Sequence, residues 1–158
     1  MLLLTAMAAA SLFGQTLVPG QPVSGKLGEK QSARYTVSVT GGSYVQWKAT
    51  GRADIVLTVY RQNGTAVASV NRWAEGAEEI FLVAETDETY TASVLNRGPG
   101  ESGFELLADV RKADDRDRVC AAAFRKSWIE RVPARTNIPV LEAARAEWQR
   151  CGNQSWEV

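Results

Sequence analysis

The chain has 158 residues, of which 45% are hydrophobic, and its 18 basic and 18 acidic side chains give no formal net charge. This length fits one domain, or one domain with a fragment of another. Because the net charge is zero, the chain offers no long-range attraction to nucleic acid or to an anionic membrane, and we expect neither as a partner. It contains no histidine and two cysteines, which excludes Ser-His-Asp and Cys-His nucleophiles, histidine metal sites and all-cysteine zinc sites within this chain. We therefore expect no enzyme, no cofactor, and no catalytic or metal-binding residues.

An uncharged apolar segment, LLLTAMAAASLF, occupies residues 2–13. It is too short to span a bilayer, which takes about 20 apolar residues. Ala8 and Ala10 form an A-x-A-like cleavage site, and Gly14-Gln15 offers a second. No Lys or Arg precedes the segment, so a buried strand and an uncleaved anchor remain as alternatives. We predict that residues 1–15 are a signal peptide and that the protein is periplasmic or secreted, away from the membrane once the signal is cleaved.

Residues 16–111 consist of short segments in which apolar and polar residues alternate, separated by turn residues. This pattern is typical of an all-β sandwich, in which each strand turns one face to the core. We predict a mainly β domain over 16–111, a jelly-roll-like antiparallel β-sandwich. The predicted strands cover residues 23–27, 33–39, 43–49, 54–60, 65–70, 79–84, 89–95 and 104–110.

The strongest local signal is the dipeptide Asn63-Gly64, which lies between two alternating segments. Both residues accept the positive φ angles that a two-residue hairpin turn requires. Asn63-Gly64-Thr65 also fits a glycosylation sequon. The turn explains these residues without any modification, so we predict a two-residue hairpin turn.

The alternating pattern ends near residue 111, and Ala, Arg, Glu and Trp dominate residues 112–158. Asp114 or Asp115 is expected to cap a first helix that ends at Val132-Pro133. A second helix is expected from about Asn137 to Cys151-Gly152, where glycine permits the left-handed cap. We predict that residues 112–158 form an α-helical hairpin. The apolar positions of the first helix follow helical spacing: Val119, Ala123, Phe124 and Trp128.

Both cysteines fall in the predicted hairpin. If the helices are antiparallel and turn near Arg135, Cys120 faces Cys151 because the two lie at equal distances from the turn. In an oxidising compartment we predict a Cys120–Cys151 disulfide, worth about 3 kcal/mol of stability. Two buried free thiols are the alternative. The same geometry pairs Phe124 with Trp148 and Trp128 with Ala144.

Four different short patterns occur in order along the β region: Gly20 to Leu27 as G-x-x-x-x-G-x-L, Tyr35, Tyr60 to Gly64, and Tyr90 to Val94. Together they resemble the bacterial pre-peptidase C-terminal type of β-sandwich over about residues 16–111. The resemblance implies an exported sandwich domain and transfers no site residues.

The helical region resembles the opening of a tetratricopeptide array. The matching positions are Ala121 to Phe124, Ala144, Trp148 and Gly152. The order of signal, sandwich and helical pair resembles the amino terminus of exported bacterial repeat proteins that end in a caspase-like peptidase domain. Such a domain needs a His-Cys dyad, so the resemblance implies that any peptidase activity lies in a continuation. We predict an incomplete tetratricopeptide-like pair; packing of the pair on the sandwich is the alternative.

Three groups of side chains invite a chemical interpretation, and in each a structural one is favoured. Calcium takes six to eight oxygen ligands, and the candidate loops offer only Asp54, Glu78-Glu79 and Asp87-Glu88. Trp47 and Trp73 could stack on a sugar, but packing in the core or on a partly covered surface is the simpler role for both. One acidic cluster could supply paired carboxylates for glycoside hydrolysis, but we prefer to interpret it as a solvated hairpin loop. That cluster comprises Glu85, Asp87 and Glu88.

We therefore predict an exported, non-catalytic binding or protein-interaction module that is the amino-terminal part of a larger repeat protein, with a protein partner that the sequence does not identify. The sandwich loops and the groove of the helical hairpin are its expected contact surfaces. The alternative is a polysaccharide- or calcium-binding accessory domain of an exported enzyme. A third possibility is a non-functional remnant of a larger gene.

Overall fold

The computed structural model describes residues 14–71, 77–128 and Ala146, and within these residues the chain forms nine β-strands and one α-helix. All eight predicted strands are confirmed, and one short strand precedes them. The elements are β1 (Gln15–Thr16), β2 (Val23–Leu27), β3 (Ser32–Val39), β4 (Ser43–Gly51), β5 (Ile55–Tyr60), β6 (Ala66–Val70), β7 (Ala77–Val83), β8 (Glu88–Asn96), β9 (Ser102–Lys112) and α1 (Asp115–Trp128).

The strands form two sheets that pack face to face. The five-stranded sheet has the order β1-β3-β8-β5-β6, and the four-stranded sheet has the order β2-β9-β4-β7. The β1–β3 pair is parallel and every other described pair is antiparallel. Except at the β5–β6 hairpin, each strand from β2 to β9 crosses to the opposite sheet, and this connectivity is that of a jelly roll.

The core lies between the sheets and follows the alternation of the sequence. In β4, Val45, Trp47 and Ala49 are fully buried, while the residues between them face outward. Tyr35 of one sheet meets Phe104 of the other, with ring centroids 6.2 Å apart. Since apolar burial at about 25 cal/mol per Å² is the main favourable contribution to folding, this interior holds the two sheets together. The core interpretation of Trp47 is confirmed, and Trp73 lies outside the described residues.

The first described strand overlaps the end of the predicted signal peptide. Gln15 pairs with Tyr35, and Leu17, which is 3% exposed, donates its N–H to the Thr36 carbonyl at 2.9 Å. Residues 1–13 lie outside the described residues, so the signal stays a prediction. Cleavage at or before Gly14-Gln15 would keep β1 in the sheet. No helix among the described residues is long and apolar enough to cross a membrane.

The β5–β6 hairpin is confirmed, but its predicted two-residue turn is wrong. Arg61 and Thr65 close the loop, with the Arg61 N–H donating to the Thr65 carbonyl at 2.8 Å. Gly64 has a φ of 81°, whereas Asn63 is not among the positive-φ residues. Asn63 instead accepts the Thr65 N–H on its side chain at 2.9 Å. A three-residue loop with glycine in the left-handed position therefore replaces the predicted turn, and a bulge after Val59 accommodates it.

Asn96, at the end of β8, ties three segments together from a fully buried position, with 1% of its surface exposed. Its Nδ2 donates to the carbonyls of Leu27 and Gly100, at 3.0 and 2.9 Å, and its Oδ1 accepts the Gly98 N–H at 2.9 Å. Its backbone also pairs with Lys30 and Gln31. One amide thus satisfies buried backbone groups at this end of the sandwich, where unpaired groups are costly.

Helix α1 starts where the sequence predicts. Asp114 is its N-cap: the Asp117 N–H donates to the Asp114 carboxylate at 2.8 Å, and the Asp114 N–H donates to the Asp117 carboxylate at 2.9 Å. This reciprocal pair is a capping box in which aspartate occupies both positions. The acidic groups also complement the positive end of the helix dipole.

Helix α1 packs on the sandwich, against β7 and β6. Phe124 is fully buried, and its ring meets Phe81 edge-on at 5.8 Å. Phe81 in turn lies 6.3 Å from Tyr44 on the outer face of the four-stranded sheet. The sandwich therefore buries this side of α1, as the alternative interpretation of the helical region expects.

The predicted helical hairpin is not shown, since α1 is the single helix of the described part of the chain. Ala146 is helical and exposed, and the rest of the predicted second helix lies outside the described residues. The Phe124 ring packs on Phe81, and its predicted partner Trp148 lies outside the described residues, so that pairing stays a prediction. The tetratricopeptide-like pair stays a prediction.

Candidate functional site

A cleft of about 490 Å³ opens between α1 and the edge of the sandwich where β6 and β7 lie. This volume lies in the range of ligand-binding pockets, about 300 to 1,000 Å³. The β5–β6 hairpin, β7, β8 and α1 all contribute to its walls. The lining residues are Arg61, Ala66, Val67, Phe81, Leu82, Val83, Glu85, Tyr90, Arg118, Ala121, Ala122, Phe124 and Arg125.

The floor of the cleft is apolar and belongs to the protein core. Phe81 and Leu82 are each 7% exposed, and Phe124 is not exposed at all. Their packing depends on α1 lying against β7, because Phe81 and Phe124 come from these two elements. The floor therefore includes Phe124 only while the helix is docked.

A chain of polar contacts lies at one end of the cleft. The Arg61 guanidinium donates to the Glu88 carboxylate at 2.6 Å, and Glu88 also accepts a hydrogen bond from the Tyr90 hydroxyl. Burial, with the adjacent Glu88 carboxylate, raises the pKa of Tyr90 to about 12. The Tyr90 hydroxyl is therefore neutral at physiological pH and acts as a hydrogen-bond donor, not as a base.

Two further arginines from α1 reach the cleft, Arg118 and Arg125, and both are exposed. Arg118 forms no ion pair with any residue that the structure describes. The carboxylate that lines the cleft is that of Glu85, also exposed. Three arginines and Glu85 line the cleft and Glu88 pairs with Arg61, so these five groups carry a net charge of +1 on a chain of zero net charge.

Helix α1 is held at its N-terminus by a charged cluster on the four-stranded sheet. Arg111 of β9 donates from both terminal nitrogens to the Asp117 carboxylate, and its guanidinium carbon lies 4.7 Å above the Tyr44 ring. Burial alone would raise the pKa of Asp117, but the Arg111 and Asp114 hydrogen bonds outweigh it and hold the pKa below its usual value. Asp117 is therefore ionised at neutral pH and anchors the helix that forms one wall of the cleft.

The predicted acidic cluster is dispersed in the structure. Asp87 accepts the Gly41 N–H at 2.8 Å, Glu88 binds Arg61, and Glu85 lies at the cleft. The segment that carries them is not the hairpin loop we predicted, because it connects β7 of one sheet to β8 of the other. Its side chains serve separate contacts, and the structure assembles no carboxylate pair for hydrolysis from them.

The candidate calcium ligands are also apart. Among the described residues, no three His, Cys, Asp or Glu side chains come together in a way that could hold a metal ion. Glu78 is buried at 2% exposure on the inner face of β7, while its neighbour Glu79 approaches Lys48 at 3.8 Å. Asp54 is exposed, and its backbone carbonyl accepts the N–H groups of Arg97 and Gly98.

Sequence reasoning missed the residues that charge the cleft: Arg61, Arg118 and Arg125. Each is one arginine among many, and no spacing along the chain marks them. They meet because α1 docks beside the tip of the β5–β6 hairpin, which is a tertiary event. The cleft lies between α1 and the sandwich, and the groove of the predicted helical hairpin lies outside the described residues.

The chain matches no protein-family model and no curated protein. Several solved structures share part of its architecture. The periplasmic inhibitor of g-type lysozyme from Aeromonas hydrophila, PliG, is 14% identical, with a TM-score of 0.48 over 58% of this chain and 85% of that one. The pre-peptidase C-terminal domain of the Bacillus anthracis collagenase is 12% identical, with a TM-score of 0.48 over 61% and 95%.

A mitogen derived from Yersinia pseudotuberculosis is 14% identical, with a TM-score of 0.48 over 62% of this chain and 92% of that one. Similarity at this level carries neither family membership nor function over to this chain.

Proposed function

We propose that the protein is a non-catalytic binding module that holds an acidic segment of a protein partner in the cleft between α1 and the sandwich. The observation that carries this proposal is the composition of the cleft, in which three arginines and one glutamate surround a floor of buried aromatic and aliphatic side chains. We further propose that the protein acts after export, in the periplasm or outside the cell, because of its signal-like amino terminus.

The chemistry of the cleft favours a peptide with both carboxylates and apolar side chains. Arginine presents its donors in a planar fork that matches a carboxylate. Arg118 is available for such a contact, since none of the described residues forms an ion pair with it. Buried aromatic and aliphatic pockets hold the anchor side chains of protein partners. No histidine occurs in the chain, and Tyr90 is held neutral, so neither an imidazole nor a phenolate serves the cleft as a base.

The test uses fluorescent peptides in which leucine alternates with glutamate, and matched peptides in which lysine replaces the glutamate. We expect the protein to bind the glutamate peptide and not the lysine peptide, with weaker binding as salt rises. Arg118→Glu should weaken binding at least tenfold, or about 1.4 kcal/mol, because it adds a repulsive charge at the cleft. Fluorescence anisotropy measures the affinity.

The matched control is Arg52→Glu, which makes the same charge change at an exposed position outside the cleft. It should leave the affinity within about twofold, because charges farther apart than a Debye length, ~8 Å, are largely screened. An equal loss in both variants, or equal binding of the lysine peptide, would contradict the proposal.

We also propose that Cys120 and Cys151 form a disulfide that ties α1 to the segment following it. In support, Cys120 is 7% exposed and shares the buried side of α1 with Ala123 and Phe124. Cys151 lies outside the described residues. Thiol titration of the exported protein in denaturant without reductant should find no free thiol, and the reduced protein should show two. Two reactive thiols before reduction would overturn the disulfide.

A further inference from the structure

Hydroxyl-bearing side chains predominate on the outward face of the five-stranded sheet, which also carries Arg34, Val56 and Leu95. Along its strands, buried apolar residues alternate with serine and threonine, so the hydroxyls share the side that faces away from the core. We call this surface the hydroxyl face. Its hydroxyl-bearing residues are Thr16, Ser32, Thr36, Ser38, Thr58, Tyr60, Ser69, Thr89, Thr91 and Ser93, of which Ser93 is 9% exposed.

The strand register arranges these hydroxyls in rows across the sheet. Thr16 lies beside Thr36, Thr36 beside Thr91, and Thr91 beside Tyr60. A second row is formed by Arg34, Ser93, Thr58 and Ser69. Neighbouring strands lie about 4.8 Å apart, so hydroxyls recur at that interval along each row. Two pairs also bond each other, Ser38 with Thr89 at 2.9 Å and Thr58 with Ser69 at 2.8 Å.

The hydroxyl face differs sharply from the outward face of the four-stranded sheet. In the described strands of the five-stranded sheet, Arg34 is the one charged residue on the outward side. The same side of the four-stranded sheet carries six charged residues, Lys26, Lys48, Glu79, Glu105, Asp109 and Arg111. Helix α1, the described element that packs on the sandwich, contacts the five-stranded sheet mainly at its edge strand β6.

We infer that the hydroxyl face binds a neutral polysaccharide chain. Each hydroxyl both donates and accepts hydrogen bonds, as sugar hydroxyls do. A neutral polymer buries no charge when it binds, so it needs no oppositely charged residue on this face to offset the loss of solvation. The half-buried Tyr60 ring adds a surface on which a sugar ring can stack. A polyanion would meet Arg34 as its single cation among the described residues of this face, whereas the row of Thr16, Thr36, Thr91 and Tyr60 carries no charge.

This inference does not depend on the proposed peptide cleft. The test is affinity electrophoresis and pull-down of the full chain with a panel of neutral polysaccharides: cellulose, hydroxyethylcellulose, xylan, mannan and a β-1,3-glucan. Carboxymethylcellulose serves as the charged counterpart. We expect retention by at least one neutral polysaccharide and at least tenfold weaker retention by the carboxymethylated polymer.

Thr91→Lys places a long charged side chain at the centre of the hydroxyl face and should reduce retention at least tenfold. The matched control is Thr50→Lys, the same substitution on the outward side of the four-stranded sheet, where Thr50 lies beside Glu105. It should retain the wild-type mobility shift. Circular dichroism and the melting temperature confirm that both variants are folded.

The inference is overturned if no neutral polysaccharide of the panel is retained, if Thr50→Lys and Thr91→Lys lose retention equally, or if carboxymethylcellulose binds as tightly as cellulose. Arg118→Glu separates the two proposals, because it should abolish peptide binding and leave polysaccharide binding unchanged. Thr91→Lys should have the opposite effects.

Discussion

Replacement of Asn96 by alanine is expected to lower the free energy of unfolding by about 4 kcal/mol. The Gly98 N–H keeps a second acceptor, the Asp54 carbonyl at 3.2 Å, but the carbonyls of Leu27 and Gly100 each lose a donor. Each costs about 1 to 3 kcal/mol when it is left unsatisfied in the interior. Because Asn96 itself is 1% exposed, water has little access to replace the lost hydrogen bonds.

Urea unfolding followed by tryptophan fluorescence measures this loss. Asn96→Asp should be at least as destabilising, since a carboxylate cannot donate to the two carbonyls. The matched control is Asn63→Ala in the exposed β5–β6 loop, where one hydrogen bond to the Thr65 N–H is lost and the cost should stay below about 1 kcal/mol. Equal losses in Asn96→Ala and Asn63→Ala would show that Asn96 does not have this role.

The second large effect is expected from Phe124→Ala, which removes the ring that joins α1 to the sandwich. Truncation of a fully buried phenylalanine costs about 3 to 5 kcal/mol, because it loses the burial of the ring and leaves a cavity. Here the partner ring of Phe81 loses its contact as well. We therefore expect α1 to detach more readily, and the cleft to lose its floor.

Two measurements test the effect of Phe124→Ala. Urea unfolding should show a stability loss of about 3 kcal/mol or more, and limited trypsin digestion should cut faster at Arg118 and Arg125. The matched control is Val18→Ala, the truncation of an apolar residue that is 55% exposed, which should cost less than about 0.5 kcal/mol. Unchanged trypsin cleavage in Phe124→Ala would mean that α1 is held mainly by Arg111 and Asp117.

The strands were predictable because the core lies on one side of each. In β5, Ile55, Leu57 and Val59 are buried and the residues between them are not, so the alternation in the sequence reports the sheet directly. The start of α1 was predictable for a similar local reason, since Asp114 caps the helix from the position directly before its first turn. The hydroxyl face has the same signature, and the serines and threonines between the apolar residues could have revealed it.

Features that depend on distant residues were not predictable. Asn96 bonds to the carbonyl of Leu27, 69 residues away, and the sequence marks it only as a loop residue. Strand β1 is two residues long, which is too short to show an alternation of apolar and polar residues. The hairpin at Asn63-Gly64 was found, but its loop length depends on the bulge after Val59. The cleft depends on where α1 docks, which the helix pattern alone does not specify.

The position of β9 determines how this domain responds to a mechanical load. Strand β9 lies inside its sheet, hydrogen-bonded to β2 on one side and to β4 on the other, and it leads into α1 through Ala113 and Asp114. A pulling force applied beyond α1 therefore peels the helix away from Phe81 first. It then reaches a strand that must shear two ladders of hydrogen bonds at the same time. Helix α1 is therefore expected to detach before the sandwich unfolds.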